Sequence, residues 1–596
     1  MPTLHWVGKD KVVNHHRDVP YRVLNKAYSF ASQPANYTNS IDNRIIHGDN
    51  LEALKSLLPE FEGKINCIYI DPPYNTGEEK WKYNDNVNDP KFKKWFEKTV
   101  GKEGEDLSRH DKWLCMMYPR LKLLHRLLAD EGIIIIHIDE NVYSFLHLIL
   151  IEIFGSNNDL GSIIWDKKNP KGDATKISYQ HESILVFSKN HLKVKDRLVK
   201  KKKNAEEILK KAKQLFSKIG KKEAQEDLMQ AVKKYKLSKL ILDQHSSVID
   251  LDFVNTAFKS WIKKQSFSGG EAAYNSIDKN GDVFQSVSMA WPNKQQAPDE
   301  YFTPLVHPFT NKNCPVPERG WRYPPSTMAD LIANNEIIFG SDESTQPRNK
   351  YLLKNNLHEN IPSIISFAGS DDKFQKEVGV SFENPKPHVF VSELLSHFSQ
   401  NDDLILDSFA GSGTTAHAVL KLNSDNPIAS NRKFILIETL YYAETITAER
   451  VRRVMNGYGE GNKAVAGLGG IFDFYTVGER LLHEDGMLNP AVGLPAIRDY
   501  VAWTEGVPIG QCAPITPIAT KGNASSPSWL GEVHGLGLFF VWEDATTTTL
   551  DLALLHQLVK KKGRYLIYAD QCALGEDFMR RHGITFKKIP RDITRL

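Results

Sequence analysis

The stretch Ile68-Tyr69-Ile70-Asp71-Pro72-Pro73-Tyr74-Asn75-Thr76-Gly77 decides how this chain is read. Together with Asn66 and Cys67, its first three residues make a short apolar, β-branched run, the pattern of a buried strand, and the run stops abruptly at an acid. Two prolines follow, which cannot continue a ladder and which fix the turn. Tyr74 then stands at the tip. Such an end to a strand suits a flat heterocycle bearing an exocyclic amine. Asp71 and the Pro72 carbonyl can accept hydrogen bonds from the amine, and Tyr74 can stack on the ring. A Pro-Pro turn after a strand is also an ordinary connection, so the neighbouring segments must decide.

Working outward, strands alternate with helices. Arg44 to Gly48 reads as a strand, and Asp49-Asn50 caps a helix with Leu51, Leu54, Leu57 and Leu58 on one stripe. After the Asp71 turn comes a polar loop, residues 77–92, long enough to be a lid or a DNA-facing element. A helix is expected from Leu107 to Ala129, then the strand GIIIIHID, a helix from Val142 to Phe154, and strands at Ile163–Trp165 and Ser183–Phe187. The rhythm returns late, with a helix from Val389 to Phe398, the strand Asp403–Leu406, a helix from Ala416 to Leu422, the strand Lys433–Ile437 and a helix from Ala443 to Val454. Alternation of this kind predicts an α/β domain with a mainly parallel sheet.

Two stretches break the pattern. Between Lys189 and Lys239 there are 18 Lys/Arg against 6 Asp/Glu, a local charge of +12 within a chain whose net charge is +3, so the rest carries −9. Ala205, Ile208, Ala212, Leu215 and Ile219 recur at helical steps there, which predicts a basic helical arm. It is either an ordinary solvated helix or one laid along DNA phosphates. Residues 244–380 are rich in Gly, Pro, Asn and aromatics and read as an inserted recognition domain. The expected division is 1–43 as an N-terminal extension, 44–190 as the first half of the α/β domain, 191–243 as the arm, 244–380 as the insert, 381–460 as the second half and 461–596 as a C-terminal domain.

The second decisive stretch is Asp407-Ser408-Phe409-Ala410-Gly411-Ser412-Gly413-Thr414-Thr415, a glycine-rich turn between an apolar strand and a helix. Gly411 and Gly413 permit close backbone approach. Asp407 ends one strand and Glu438 the next, where an acid commonly takes the ribose hydroxyls of a nucleoside. No Walker lysine is present, which argues against nucleotide hydrolysis. A dinucleotide site or a plain structural turn also fits such a loop, and the acid-ended strands on both sides favour a nucleoside.

DPPYNTG and DSFAGSGTT together resemble the S-adenosylmethionine-dependent amino-methyltransferases of DNA, in the permuted order in which the DPPY segment precedes the recognition domain and the glycine loop follows it. The resemblance implies a Rossmann-like class I methyltransferase domain, with Asp71, Pro72, Pro73 and Tyr74 holding a flipped base. It implies that Asp407, Phe409, Gly411, Gly413 and Thr414 surround S-adenosylmethionine, that Glu438 takes its ribose, and that Asp49 lies near its adenine. FENPKP, Phe382 to Pro387, is similar to the segment that opens the family's cofactor helix, which adds Asn384 and Lys386 to the cofactor set. Asp rather than Ser before Pro-Pro-Tyr points to adenine. GDNLEAL, SRHDKWLCMMYPRL, IIIIHIDE, HESILVFSKN, HPFTNKNCPVPERGWR and IFDFY extend the likeness to the modification subunits of Type III restriction systems. That likeness implies double-stranded DNA as substrate, a homodimer, and a helicase-nuclease restriction partner. A solitary methyltransferase, or a scaffold that mainly delivers such a partner, are the alternatives.

Other residues have plainer readings. His137, within an apolar strand, reads as a satisfied core histidine, and Asp139-Glu140 as the N-cap of the next helix. Trp321 and Arg322 either contact a base or anchor the insert. The five cysteines show no CxxC spacing, which argues against a zinc site or a disulfide framework and fits a reducing cytoplasm; no metal is expected. No apolar run is long enough for a membrane span, and the N-terminus lacks the apolar core of a signal peptide.

Overall fold

The structure is a computed structural model that describes residues 3–32, 43–74, 109–168, 177–194, 198–202, 204–220, 240–242, 248–425, 430–461, 464–507, 512–513, 527–558, 563–590 and 593. The polar loop 77–92 and most of the second half of the basic arm lie outside these residues. The chain divides into two compact units, one of residues 1–198 with 362–596 and one of residues 199–361.

The larger unit is built on a ten-stranded sheet. From one edge to the other its strands are Arg22–Ala31, Ile471–Arg480, Arg44–His47, Lys433–Glu438, Leu404–Asp407, Ile65–Ile70, Leu128–Ile138, His181–Ser188, Asp159–Asp166 and Ile364–Ser366. The six from Ile471–Arg480 to Leu128–Ile138 are mutually parallel. Ile133 to Ile136 are all at 0% exposure, as expected of a central strand covered on both faces. Helices Asn50–Phe61, Arg109–Leu127 and Tyr143–Phe154 cover the sheet through Leu54, Leu58, Leu121, Leu124 and Leu146, which share one core. This is the expected α/β architecture, and every strand expected around the two motifs is present.

Several expectations change. The N-terminal residues are not merely a lead-in: Arg22–Ala31 is a ten-residue edge strand paired antiparallel with Ile471–Arg480, and Val12 and Val19 are buried in the main core. Ile471–Arg480, expected to open a separate domain, itself belongs to the main sheet. The residues beyond it make a four-stranded sheet of Trp529–Val533, Leu536–Phe540, Arg564–Ala569 and Ile584–Lys588, with its own core around Ile497, Leu538 and Tyr568. Asp139 does not cap the next helix. Its carboxylate binds the backbone and side chain of Asn141, and the N-cap is Val142, without a side-chain bond.

The smaller unit contains a sheet of Ser276–Ile277, Val283–Ser288, Arg348–Leu352 and Ile337–Ile338. Helix Ala205–Gly220, the first half of the basic arm, belongs to this unit. Ala205, Ile208 and Ala212 pack on Val254, Phe258 and Ile262, so the apolar stripe closes a core and the lysines occupy the remaining face. Trp321 is an anchor: it is buried and donates its indole N–H to the Thr303 carbonyl, whereas Arg322 is exposed. The insert also ends earlier than expected, because Ile364–Ser366 joins the main sheet beside Asp159–Asp166.

Candidate active site

Parallel strands place their C-terminal ends along one edge, and that edge gathers the acids read from the sequence. Asp71 follows the strand Ile65–Ile70, Asp407 ends its neighbour Leu404–Asp407, and Glu438 ends the strand after that. Asp71, Asn384, Lys386, Asp407, Phe409, Gly411 and Thr414 line one pocket, with Tyr69, Phe382 and Ser412. Pro72, Pro73, Tyr74, Gly413, Glu438 and Asp49 stand outside its lining.

The glycine loop is held from behind. Gly411 and Gly413 have φ of +51° and +82°, where side chains are rarely accommodated. A Cβ on Gly413 would meet the Thr447 carbonyl oxygen at 3.1 Å, and one on Gly411 would meet the Phe382 ring at 3.2 Å. The Gly411 amide donates to Glu438 Oε2 at 2.8 Å, and the Leu440 amide to Oε1 at 2.9 Å. Asp407 accepts from the Phe409 amide at 3.0 Å and from the Thr415 hydroxyl. Arg450, 1% exposed, donates to Ser412 Oγ at 2.7 Å, Thr414 Oγ1 at 2.9 Å and Asp371 Oδ2 at 2.8 Å. The carboxylates of Glu438 and Asp407 therefore brace the loop directly.

Burial pushes the carboxyls of Asp407 and Glu438 up to about 7, against the hydrogen bonds they accept. In an unfolded chain both groups titrate near pH ~4, so the folded chain binds these protons more tightly. Their contribution to stability is present below that range and is lost as pH rises through about 7. Thermal unfolding should thus show a fall in stability as pH rises from the unfolded value toward about 7 that Asp407→Asn reduces. An identical pH dependence in the variant would contradict the assignment to Asp407.

Asp49 accepts the Leu51 and Glu52 amides as N-cap of Asn50–Phe61. Its neighbour Asn50 links the surrounding loops, donating to the Ser408 carbonyl and accepting from Arg120 Nε. At the other end of the pocket, Trp113 donates to the Pro73 carbonyl at 2.6 Å, which fixes the Pro-Pro turn. Lys386 Nζ lies 2.8 Å from Asp71 Oδ2, 2.8 Å from the Tyr74 hydroxyl and 3.4 Å from Glu182 Oε2. Burial works against the Lys386 ammonium, but Asp71 and Glu182 outweigh it and hold its pKa above the usual lysine value. Burial alone would raise the Glu182 carboxyl, yet Lys386, His137 and Lys167 keep it well below the usual range. His137 is at 0% exposure, 3.0 Å from the Tyr69 hydroxyl, and burial lowers its pKa.

Sequence reasoning missed Glu182, Trp113 and Arg450. Glu182 and Arg450 did carry a signal, each a charge on the apolar face of its element, where only a paired charge persists. Among the described residues no cluster of three His, Cys, Asp or Glu has metal-site geometry, and no helix is long and apolar enough to cross a membrane.

With this geometry in place, comparison with known proteins is specific. A family profile described as a DNA methylase (N6_N4_Mtase) matches residues 65–449. The Type III restriction-modification enzyme EcoP15I Mod subunit of Escherichia coli is 31% identical over 456 residues, 73% of this chain and 64% of that protein. The StyLTI Mod subunit of Salmonella typhimurium is 28% identical over 66% of this chain and 52% of its own length. The Type II methyltransferase M.KpnI of Klebsiella pneumoniae is 26% identical over 67% of this chain and 81% of its own length. The chain thus spans about half to two thirds of the Mod subunits it matches.

Proposed function

The chain belongs to the N6/N4 family of DNA methylases, and from that premise we propose that it methylates the exocyclic N6 of an adenine flipped out of duplex DNA, as the dimeric modification subunit of a Type III restriction-modification system. The observation that carries this reading is the single pocket on which Asp71 and the Asp407–Thr415 loop converge at the carboxyl edge of the sheet.

The pocket suits S-adenosylmethionine. The positive φ angles of Gly411 and Gly413 let the loop pack closely against Phe382 and Thr447, where a Cβ would collide. Asp407, Phe409, Asn384 and Thr414 line it with polar groups and one ring. Glu438 and Asp49, at the adjoining strand ends, would serve the ribose and adenine. When bound, the cofactor supplies a methyl group activated by a sulfonium, so the protein need add only position and electrostatics. Extruding a base costs a few kcal/mol, and stacking on Tyr74 returns on the order of 1–3 kcal/mol. Asp71 and the Pro72 carbonyl accept the amine's two N–H bonds, which turns its lone pair out of conjugation with the ring. With the Pro73 carbonyl engaged by Trp113, the turn cannot swing away.

Adenine is favoured by Asp in the DPPY motif, and the Type III role by likeness to Mod subunits. The likeness to M.KpnI favours a second reading, a solitary enzyme of the same chemistry. The deciding experiment transfers labelled methyl from S-adenosylmethionine to mixed genomic DNA and analyses the nucleosides. Labelled N6-methyladenine is expected. Labelled N4-methylcytosine would overturn the base assignment, and bound cofactor without transfer would overturn the chain as an enzyme on its own. Co-purification with a helicase-nuclease chain separates the Type III role from the solitary one.

A further inference from the structure

The head group of Lys386 is fully committed to protein. An ammonium has three N–H donors and no acceptor. Its three partners are Asp71 Oδ2 at 2.8 Å, the Tyr74 hydroxyl at 2.8 Å and Glu182 Oε2 at 3.4 Å. Glu182 is fixed in turn, since Lys167 holds its other oxygen at 2.6 Å and the Tyr74 hydroxyl donates to Oε2 at 3.2 Å. The side chains of Lys386 and Glu182 are only 12% and 11% exposed. The two oxygens of Asp71 are then unequal: Oδ2 is tied to Lys386, while Oδ1 is buried and takes no hydrogen bond from the described residues.

We propose that Lys386, steadied by Glu182, is a positioning residue for methyl transfer: it fixes the orientation of the Asp71 carboxylate at the pocket where the target amine would meet it, and it anchors the Tyr74 hydroxyl so that the ring stands ready to stack. This rests on the methyltransferase reading above. It departs from the cofactor role that the likeness of the Phe382–Pro387 segment implies for Lys386, leaving Phe382, Asn384 and Pro385 as that segment's contribution to the pocket. Loss of the ammonium would strip Asp71 of its ion-pair partner and leave Glu182 to Lys167 alone, so the Asp71 carboxylate would no longer be held in place.

The test uses the full chain with Lys386→Met, Lys386→Arg and Glu182→Gln. For each, the single-turnover rate at saturating cofactor and DNA and the dissociation constant for S-adenosylmethionine are measured separately. Lys386→Met should slow transfer about 100-fold, the scale set by misplacing a reacting group, with cofactor affinity nearly unchanged. Lys386→Arg should recover part of the rate, and Glu182→Gln should slow transfer less, in the same sense. Weakened cofactor binding with an unchanged rate at saturation would make Lys386 a cofactor ligand and overturn the proposal. If Lys386→Met fails to fold, an unchanged rate in both Lys386→Arg and Glu182→Gln overturns it. If the unaltered chain transfers no methyl, the reading beneath it fails and the inference with it.

Discussion

Asp71→Ala should abolish methyl transfer while leaving S-adenosylmethionine bound. The carboxylate is the charged acceptor at the mouth of the Pro-Pro turn. In the reaction the amine nitrogen gains positive charge as it bonds the methyl carbon, so an anion against its N–H is worth more in the transition state than before it. Removal of one preorganised hydrogen-bonding group of this kind costs roughly 100- to 1,000-fold. Loss of orientation at the amine adds to that, since the lone pair then rejoins the ring. The cofactor pocket keeps its main supports, because Glu438, Asp407 and Arg450 brace the glycine loop without Asp71. Equilibrium binding of labelled S-adenosylmethionine and transfer to DNA, measured on the same preparation, separate the two effects. Cofactor affinity that collapses along with activity would place Asp71 in the cofactor site instead.

Local pattern is what the sequence made legible. The Ile133–Ile136 run, four β-branched residues in succession, reads as a strand covered on both faces, and acids that end such strands fall on one edge once the sheet is parallel. Asp71, Asp407 and Glu438 therefore came together as read. Pairings between distant segments were not legible. Arg22–Ala31 lies on an edge with mixed exposure, so it lacks clean alternation, and its partner Ile471–Arg480 lies some 450 residues on. The same holds for side chains. Lys386 is joined to Asp71 across 315 positions, and nothing in FENPKP says that its lysine turns toward the base side rather than the cofactor. The first half of the basic arm was legible as a helix from its periodicity, but which face was buried depended on Val254 and Phe258, a segment beyond it.

Arg450→Ala should be the most destabilising single change near the site. The guanidinium is 1% exposed and stands 4.8 Å from the Phe374 ring centre, and its donors reach Asp371, Ser412 and Thr414. Asp371 is itself only 4% exposed, and its carboxylate otherwise bonds the backbone N–H and ring of His388. Breaking a buried pair by removing one partner costs about 3–5 kcal/mol, because the other charge is left without compensation. Two hydroxyls of the glycine loop lose their donor as well, so cofactor affinity should fall even where the chain stays folded. Asp371→Asn in the same background tests the cause. If the stranded carboxylate is the main cost, the double variant should recover a large part of the loss, because the costs of contacting residues do not add. Simple additivity of the two unfolding free energies would show instead that Arg450 acts through packing on Phe374, with its charge of little account.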